Sequence, residues 1–590
     1  MGRKKKIIED KKFTPSKYQS AIYDFVEHGV GNLVVEAAAG AGKTTTLLEI
    51  LKLLPSDKKV LFCAFNKDIV KEIQKKVSKE LTNVDIRTVH SLGFLMIQRN
   101  FRDKEIIPNE DKYKQFIINN LNEISRIDVN ELKYRDKQKY IDNLCKLSDF
   151  ARYNLCQSHK DIEKIVERYN IEVIADEITA TLDIMEWGKS FIDEIDYTDM
   201  IWLPNILYLK PLGLQYDYIL GDEVQDFSIC QRELLLKCRK INTRMFMLGD
   251  KNQCLYSFAS ADPESFDVLK SLPNTISLPL SISYRCPKNI VRFANNLVST
   301  IEHNENNPNE GEIKYNVDLS EVEDGDMVLC RNNAPLMKIY NDFIRMGKKC
   351  QIKGKDIGLN LKRIVKSTHK DELNVNLEKD GLFVRLYNSL FELRDKMMKQ
   401  TGLDYKSVME NSKITSKLDV IKALEVLSEG LKTSEELIEK INQMFSDKKT
   451  NGISLSTIHK AKGLEANNVF IACPSLMPCK SATQEWEILQ EKNLMYVAYT
   501  RAKNKLSFID ESDFKNFTDN TNDSLKTIEE QVNFILGKET KINKTDANYG
   551  KYILSRNTRI TRPIIGGSKI LGEKINKPTN GLLMKNKKRK

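Results

Sequence analysis

Two short groups of residues have the types and spacing that nucleotide hydrolysis requires. The first lies in the run A-A-A-G-A-G-K-T at residues 37–44, where Lys43 would reach the β- and γ-phosphates and Thr44 would ligate Mg²⁺. The second is the adjacent pair Asp222 and Glu223. In such a pair the first acid holds Mg²⁺, and the second positions and deprotonates the attacking water. Adjacent acids alone are common at a strand end, but with the loop they predict the second half of a nucleotide site.

The residues around the first group predict a strand, a loop and a helix in that order. Leu33–Val35 is an apolar run typical of a buried strand, and Thr45–Leu54 has the apolar spacing of a helix. Loop N–H groups at the positive end of that helix can cradle phosphate oxygens. An ordinary glycine-rich turn is the alternative, but G-K-T between a strand and a helix favours a phosphate-binding loop. We expect phosphate contacts from Ala39, Gly40, Ala41, Gly42, Lys43, Thr44 and Thr45.

Further strands precede the other polar residues of interest. Tyr216–Gly221 ends at the acidic pair, Arg244–Gly249 ends before Asp250-Lys251-Asn252-Gln253, and Val60–Phe65 ends at Asn66. Alternating strand and helix signals are typical of an α/β fold with a parallel sheet.

Length and composition limit the classes of protein that this chain can be. With 590 residues it is too long for one core, and length alone suggests about four domains. No run of about 18 apolar residues is present, and M-G-R-K-K-K-I-I-E-D lacks the apolar core of a signal peptide. The closest two of the 11 cysteines, Cys473 and Cys479, fit no common zinc site, so we expect reduced thiols in a cytoplasmic protein. The net charge of +11 permits a polyanionic partner.

Several motifs, taken in order, resemble those of UvrD-like superfamily 1 DNA helicases. G-D-E-V-Q-D, G-D-K-N-Q-C-L-Y-S-F and Y-R-C-P resemble motifs II, III and IV. T-I-H-K-A-K-G-L-E at 457–465 resembles motif V, and N-L-M-Y-V-A-Y-T-R-A at 493–502 resembles motif VI, in the form of the F-box DNA helicase branch. Together the motifs cover most of the region from Gln19 to Lys505. Ala37 replaces the usual first glycine of the phosphate loop, as it does in many UvrD-like loops. Asn493 replaces an arginine found in many members, which removes one possible ion-pair partner in motif VI.

The resemblance implies two RecA-like P-loop NTPase domains with parallel sheets, each carrying a mainly helical insertion. ATP and Mg²⁺ would occupy the cleft between them, and single-stranded DNA would cross both. Gln19 and Tyr284 would hold adenine, and Glu465 would contact the ribose. The residues implied near the γ-phosphate or in hydrolysis are Glu223, Gln253, Arg285 and Arg501. Gly463 would also contact the nucleotide. Thr44 and Asp222 would bind the metal.

The resemblance also implies a set of DNA contacts. The residues implied near the strand are Phe65, Asn66, Thr88, His90, Tyr256, Phe258, Thr457 and His459. Phe258 occupies the position of a base-stacking aromatic, for which core packing is the alternative. The expected partners are single-stranded DNA and duplex junctions, with no membrane; the sequence identifies no protein partner.

The composition of each segment, together with the resemblance, indicates the domain boundaries. The first RecA-like domain is expected at 11–99 and 197–276, its helical insertion at 100–196, the second RecA-like domain at 277–357 and 450–512, a short helical insertion at 358–449, and a basic extension at 513–590. The last 40 residues carry 12 Lys or Arg against one acid, Glu573. Such a tail is typical of a solvated segment, of non-specific DNA binding or, in a eukaryote, of a nuclear import signal.

The expected activity is that of an ATP-dependent DNA helicase that moves 3′ to 5′, a polarity implied by the resemblance alone. Three alternatives stay open at this stage. They are an opposite-polarity member of superfamily 1, an RNA-acting member, and a DNA-stimulated ATPase that remodels protein–DNA complexes without unwinding.

Overall fold

The structure is a computed structural model whose described part comprises residues 14–64, 67–77, 82–125, 127–132, 134–169, 171, 173, 175–255, 262, 264–445, 452–518 and 522–536. Phe65, Asn66, Tyr256, Phe258 and the basic tail from residue 537 onward lie outside it. Within these described ranges, no helix is both long enough and apolar enough to cross a bilayer.

The strands and helices alternate along most of the chain. The strands are β1 Asn32–Ala37, β2 Val60–Ala64, β3 Val84–Thr88, β4 Ile107–Pro108, β5 Glu194–Ile195, β6 Tyr216–Gly221, β7 Arg239–Gly249, β8 Thr275–Leu280, β9 Ile282–Ser283, β10 Glu302–His303, β11 Glu312–Val317, β12 Met327–Cys330, β13 Cys350–Ile352, β14 Ile453–Thr457, β15 Ala466–Ala472 and β16 Ala502–Ile509. The helices of the first half are α1 Lys17–His28, α2 Lys43–Leu53, α3 Lys67–Lys76, α4 Val89–Asn100, α5 Lys112–Asn119, α6 Leu121–Ile124, α7 Tyr134–Tyr153, α8 His159–Arg168, α9 Ala175–Ser190, α10 Tyr197–Ile206, α11 Ile229–Lys237 and α12 Ser265–Lys270. Those of the second half are α13 Lys288–Ala294, α14 Asn333–Arg345, α15 Lys355–Ser367, α16 Leu382–Thr401, α17 Tyr405–Met409, α18 Ser412–Leu427, α19 Ser434–Met444, α20 Glu485–Tyr499, α21 Lys515–Thr518 and α22 Asn522–Ile535.

Two six-stranded sheets, parallel throughout, organise the molecule. The first has the order β3-β2-β6-β7-β1-β8, and the second has the order β11-β16-β15-β12-β14-β13. Strand β2 is buried along its whole length, as expected where helices cover both faces of a parallel sheet. The predicted α/β fold with two RecA-like domains is confirmed. The first sheet continues to Leu280, past the boundary expected at residue 276.

The order of the first sheet explains how distant motifs meet. Strands β6, β7 and β1 are neighbours, and all three point the same way. The loops that follow them therefore leave the same edge of the sheet, which is where open α/β sheets bind ligands. This edge brings together the glycine-rich loop after β1, the acidic pair after β6 and the polar segment after β7.

Helices α5 to α9 lie between β4 and β5 in the chain, within the region expected to be a helical insertion. The two short strands pair with each other, a detail that the sequence did not indicate. A buried ion cluster ties these helices to α10. The Asp199 carboxylate lies 2.7 Å from Lys112 Nζ and 2.9 Å from Arg152 Nη1, and Arg152 also donates to Asp196. Burial of these charges is tolerated because each has an oppositely charged partner.

Helices α15 to α19 fill most of the second expected insertion. The last described helix, α22, packs against α16, where the Arg394 guanidinium pairs with Glu529. One apolar cluster contains residues of both sheets, from Leu33 and Phe246 in the first to Leu329 and Ile471 in the second. The two RecA-like domains thus meet through a shared core beside the cleft.

Candidate nucleotide and DNA site

The glycine-rich loop has the backbone that its sequence predicts. Gly40 and Gly42 adopt φ values of 70° and 83°, in the left-handed region that glycine enters easily. Helix α2 begins at Lys43, directly after Gly42. The N–H groups of Lys43, Thr44 and Thr45 therefore belong to its first turn, where the helix itself offers no acceptor for them, so these donors are available to an anion. The Ala39 N–H, expected to face phosphate, instead donates to the Tyr496 hydroxyl at 3.0 Å.

The acidic pair lies directly against this loop. Lys43 Nζ is 3.2 Å from Glu223 Oε2, and Thr44 Oγ1 donates to Asp222 Oδ2 at 3.3 Å. Burial, and then the Glu223 charge, raises the pKa of Asp222 to about 7. Burial would also raise the pKa of Glu223, but Lys43 and Lys462 outweigh it and hold that pKa at about 2. Glu223 is therefore ionised at neutral pH, as a general base must be.

The donor set around Thr44 and Asp222 suits Mg²⁺. Mg²⁺ prefers oxygen ligands, and in nucleotide sites it uses one or two protein groups together with substrate phosphates and water. Asp222 is 1% exposed, yet its carboxylate touches the Thr44 hydroxyl at the mouth of the phosphate loop. These two residues would hold the ion, which would neutralise charge on the phosphates.

Gln253 connects the first domain to the second. It follows β7, and its Nε2 donates to Asp250 Oδ2 at 2.7 Å. From the second domain, Arg501 Nη2 donates to Gln253 Oε1 at 3.2 Å. Burial, and then Arg285, lowers the pKa of Arg501 to about 9, so the guanidinium stays charged at neutral pH.

Arg285 lies in the segment after β9, which borders the phosphate loop because the Tyr284 N–H donates to the Gly40 carbonyl. Its Nε donates to Glu465 Oε2 at 2.7 Å, and Lys503 pairs with the same carboxylate. Glu465, implied as the ribose contact, is thus engaged by two cations. Gly463 lies two residues before it with φ 83°.

The two residues implied at adenine are brought together. The Tyr284 hydroxyl is 3.5 Å from Gln19 Oε1, and Gln19 Nε2 donates to Thr46 Oγ1 at 3.2 Å. Gln19 also completes a capping box with Ser16 at the start of α1, which fixes its side chain. Tyr284 is 44% exposed and lines the cleft between the domains.

These groups enclose one cleft of about 480 Å³ between the domains. Its lining combines residues from both: Gly40, Gly42, Lys43, Thr44, Glu223, Gln253, Tyr284, Arg285, Gly463, Glu465 and Arg501. The size and charge suit a nucleoside triphosphate.

Sequence reasoning missed four residues of the interface. Lys462 Nζ reaches the Asp226 carboxylate, and the Tyr496 hydroxyl meets the phosphate loop. Asn493, interpreted as the loss of an ion-pair partner, donates through Nδ2 to the carbonyls of Lys251 and Cys254 at 3.3 and 3.1 Å. In the sequence, these residues stand out only because they belong to the motifs. Their contacts could not be predicted, because their partners lie in the other domain.

Only some of the residues implied in DNA binding belong to the part of the chain that the structure describes. Phe65, Asn66, Tyr256 and Phe258 lie outside it. Thr88 and Thr457 end strands β3 and β14, each at the carboxyl edge of its sheet. The Thr88 side chain accepts from the Ser91 N–H and so caps α4.

The two histidines of this set are partly buried. His90 lies edge-on to the Tyr197 ring, with centroids 6.3 Å apart, and burial followed by Lys67 lowers its pKa to about 4. Burial, and then Arg331, lowers the pKa of His459 to about 3. Both rings are neutral at pH 7, so they can hydrogen-bond to a nucleic acid but cannot neutralise its phosphates.

Comparison with known proteins gives a consistent result. Residues 19–273 match the UvrD/REP helicase N-terminal domain, and residues 359–512 match the UvrD-like helicase C-terminal domain. A probable DNA helicase II homolog of Mycoplasma pneumoniae is 27% identical over 303 residues, 48% of this chain and 42% of that protein. F-box DNA helicase protein 1 of Schizosaccharomyces pombe is 26% identical over 530 residues, 80% of this chain and 55% of that protein. ATP-dependent DNA helicase PcrA of Bacillus subtilis is 23% identical over 684 residues, covering 92% of this chain and 90% of that protein. The match thus spans about half the length of the first two relatives.

Proposed function

Because this chain belongs to the UvrD/REP helicase family, we propose that it is an ATP- and Mg²⁺-dependent motor that moves 3′ to 5′ along single-stranded DNA and separates duplexes. One observation carries the proposal: residues of both RecA-like domains enclose a single cleft, and Arg501 of the second donates to Gln253 of the first at 3.2 Å. A site assembled from two domains ties hydrolysis to their relative motion.

The roles follow from the chemistry of phosphoryl transfer. Negative charge spreads over the γ-phosphate oxygens in the transition state, and an arginine that reaches them is worth about 10³ to 10⁵ in rate. Lys43 would neutralise the β- and γ-phosphates, Glu223 would take the proton of the attacking water, and Arg285 and Arg501 would complete the charge compensation. If the arginines arrive only on closure, each turnover requires one closing step.

The DNA path would run along the carboxyl edges of both sheets. Thr88 and His90 stand at this edge in the first domain, and Thr457 and His459 in the second. Contacts to the backbone grip without sequence preference, and a stacked base resists slipping. Single-stranded DNA and duplex junctions are the partners we propose, in the cytoplasm, with nuclear import through the basic tail in a eukaryotic source.

A strand-separation assay with 3′- and 5′-tailed duplexes tests the proposal. We expect opening of 3′-tailed duplexes with ATP and Mg²⁺ and hardly any opening of 5′-tailed ones. The Glu223→Gln variant is the control, since it should bind both substrates and open neither. Faster opening from 5′ tails would contradict the polarity, and ATP-driven displacement of a bound protein block without strand separation would favour a remodelling translocase.

A further inference from the structure

Lys462 of the second domain reaches across the nucleotide cleft to two loops of the first. Its ammonium lies 2.7 and 2.5 Å from the two carboxylate oxygens of Asp226, and 2.6 Å from the carbonyl oxygen of Gln253. The side chains of Lys462 and Asp226 are only 10% and 1% exposed. These three acceptors match the three N–H donors of an ammonium group. This is a desolvated ion pair between domains, which differs from a surface contact.

Asp226 is connected to the catalytic base through a single amide. Gln225 Nε2 donates to Glu223 Oε2 at 2.6 Å and approaches Asp226 Oδ2 at 3.4 Å. The other end of the amide is fixed as well, since Gln225 Oε1 accepts from the Asp250 N–H at 3.0 Å. Removing the lysine would leave the Asp226 carboxylate buried without its cation, and such a group rearranges to find water or another partner. Any rearrangement of Asp226 passes through Gln225 to Glu223.

Gln253 is held from two directions by the second domain. Lys462 binds its carbonyl oxygen, and Arg501 binds its side-chain oxygen at 3.2 Å. Both contacts break if the cleft opens. One lysine therefore links the closed arrangement of the domains to the acidic loop and to the loop that carries Gln253.

We propose that Lys462 is a positioning residue for hydrolysis: closure delivers its ammonium to Asp226 and Gln253, and these contacts fix Glu223 and Gln253 where ATP turnover needs them. The inference rests on the proposed function and adds a residue through which domain closure controls the base. In this proposal Lys462 acts through Asp226, whereas Lys43, Arg285 and Arg501 contact the phosphates.

Lys460 provides a matched control in the same turn of chain. Its Nζ pairs with Asp356 Oδ2 at 2.6 Å, but both partners belong to the second domain and are 42% and 63% exposed. Exposed pairs of this kind contribute little to stability. Lys460→Met removes the same charge and leaves the cleft intact.

The test measures steady-state ATP turnover at saturating single-stranded DNA, with nucleotide affinity followed separately by a fluorescent ATP analogue. Lys462→Met should lower kcat by about 10²-fold, the loss typical of a misplacement of about 1 Å, with little change in nucleotide affinity. Asp226→Asn should also lower kcat, and the double variant should be no slower than Lys462→Met, because Lys462→Met already removes the contact between Lys462 and Asp226. Lys462→Arg, which keeps the charge, should recover part of the turnover, and Lys460→Met should match the wild type.

Three results would overturn the inference. They are a wild-type kcat for Lys462→Met, losses that multiply in the double variant, or a loss confined to nucleotide affinity, which would make Lys462 a phosphate ligand. The wild-type protein distinguishes a wrong role for Lys462 from a wrong proposed function. If DNA does not stimulate ATP turnover in the wild type, the proposed function itself is wrong. Far-ultraviolet circular dichroism identifies a variant that fails to fold. If Lys462→Met does not fold, the kcat of Lys462→Arg is compared with that of Lys460→Arg, and equal values would overturn the inference.

Discussion

Gly40 is the point at which the phosphate loop touches the segment that carries Arg285. A Cβ atom built on Gly40 would lie 2.5 Å from the Arg285 Cβ and 2.9 Å from the Ser283 Oγ. The backbones are also joined there, because the Tyr284 N–H donates to the Gly40 carbonyl at 2.9 Å. Gly40→Ala should therefore displace the arginine as well as strain the loop.

The size of the effect follows from this geometry. An L-residue in the left-handed region costs about 1–2 kcal/mol, and Gly40 has φ +70°. The Cβ contact must also lengthen from 2.5 Å to at least 3.4 Å, a shift of about 0.9 Å, before it becomes ordinary. A misplacement of about 1 Å in a catalytic arrangement costs about 10²-fold in rate. We expect kcat to fall by about that factor.

The assay compares Gly40→Ala with Gly402→Ala. Gly402 follows the last residue of α16 with φ +67°, and no atom of the described residues lies within 4 Å of its added Cβ. Gly402→Ala should lose about 1–2 kcal/mol in free energy of unfolding, measured by urea denaturation, and Gly40→Ala should lose at least as much because its Cβ also overlaps Arg285. Only Gly40→Ala should lose DNA-stimulated ATPase activity. A normal kcat for Gly40→Ala, or a loss confined to ATP affinity, would refute the reasoning.

Three further predictions concern the cleft and the DNA track. Lys43→Ala or Glu223→Gln should abolish turnover while single-stranded DNA binding, measured by fluorescence anisotropy, survives; substantial DNA-stimulated ATPase in Lys43→Ala would mean that the phosphate loop is wrongly assigned. Arg285→Ala and Arg501→Ala should each lower kcat by orders of magnitude with little change in ATP binding, and an effect on binding alone would remove them from the transition state. Burial and nearby cations depress the pKa of His459 to about 3 from an ordinary 6.5, so its contribution to stability is complete above about pH 6.5 and is lost as the pH falls toward 3. In His459→Gln the free energy of unfolding, measured by urea denaturation at a series of pH values, should depend less on pH between 6.5 and 3. The same pH dependence as in the wild type would contradict the assignment.

The parts of the site that local sequence could predict are those that one sheet edge brings together. Lys43, Asp222 and Gln253 each follow a strand, and neighbouring parallel strands place the following loops side by side. A strand–loop–helix order and a family motif were sufficient to indicate these positions.

The residues of the site that the sequence did not predict are those whose contacts lie between the two domains. Lys462 and Asp226 are 236 residues apart, and nothing local to either indicates the other. Asn493 shows the same limit: its replacement of an arginine was interpreted as a lost ion pair, whereas its amide binds two carbonyls across the interface. The Ala39 N–H was assigned to phosphate because the Tyr496 hydroxyl that accepts its hydrogen bond comes from the far domain.

We propose that one cleft, built by two domains, hydrolyses ATP when single-stranded DNA is bound. The most direct measurement is the ATP turnover rate of the wild-type protein with Mg²⁺, without DNA and with saturating oligodeoxythymidine. We expect a steep rise in turnover with DNA, which Arg501→Ala should abolish. Equal turnover with and without DNA, or a rise that survives Arg501→Ala, would contradict it.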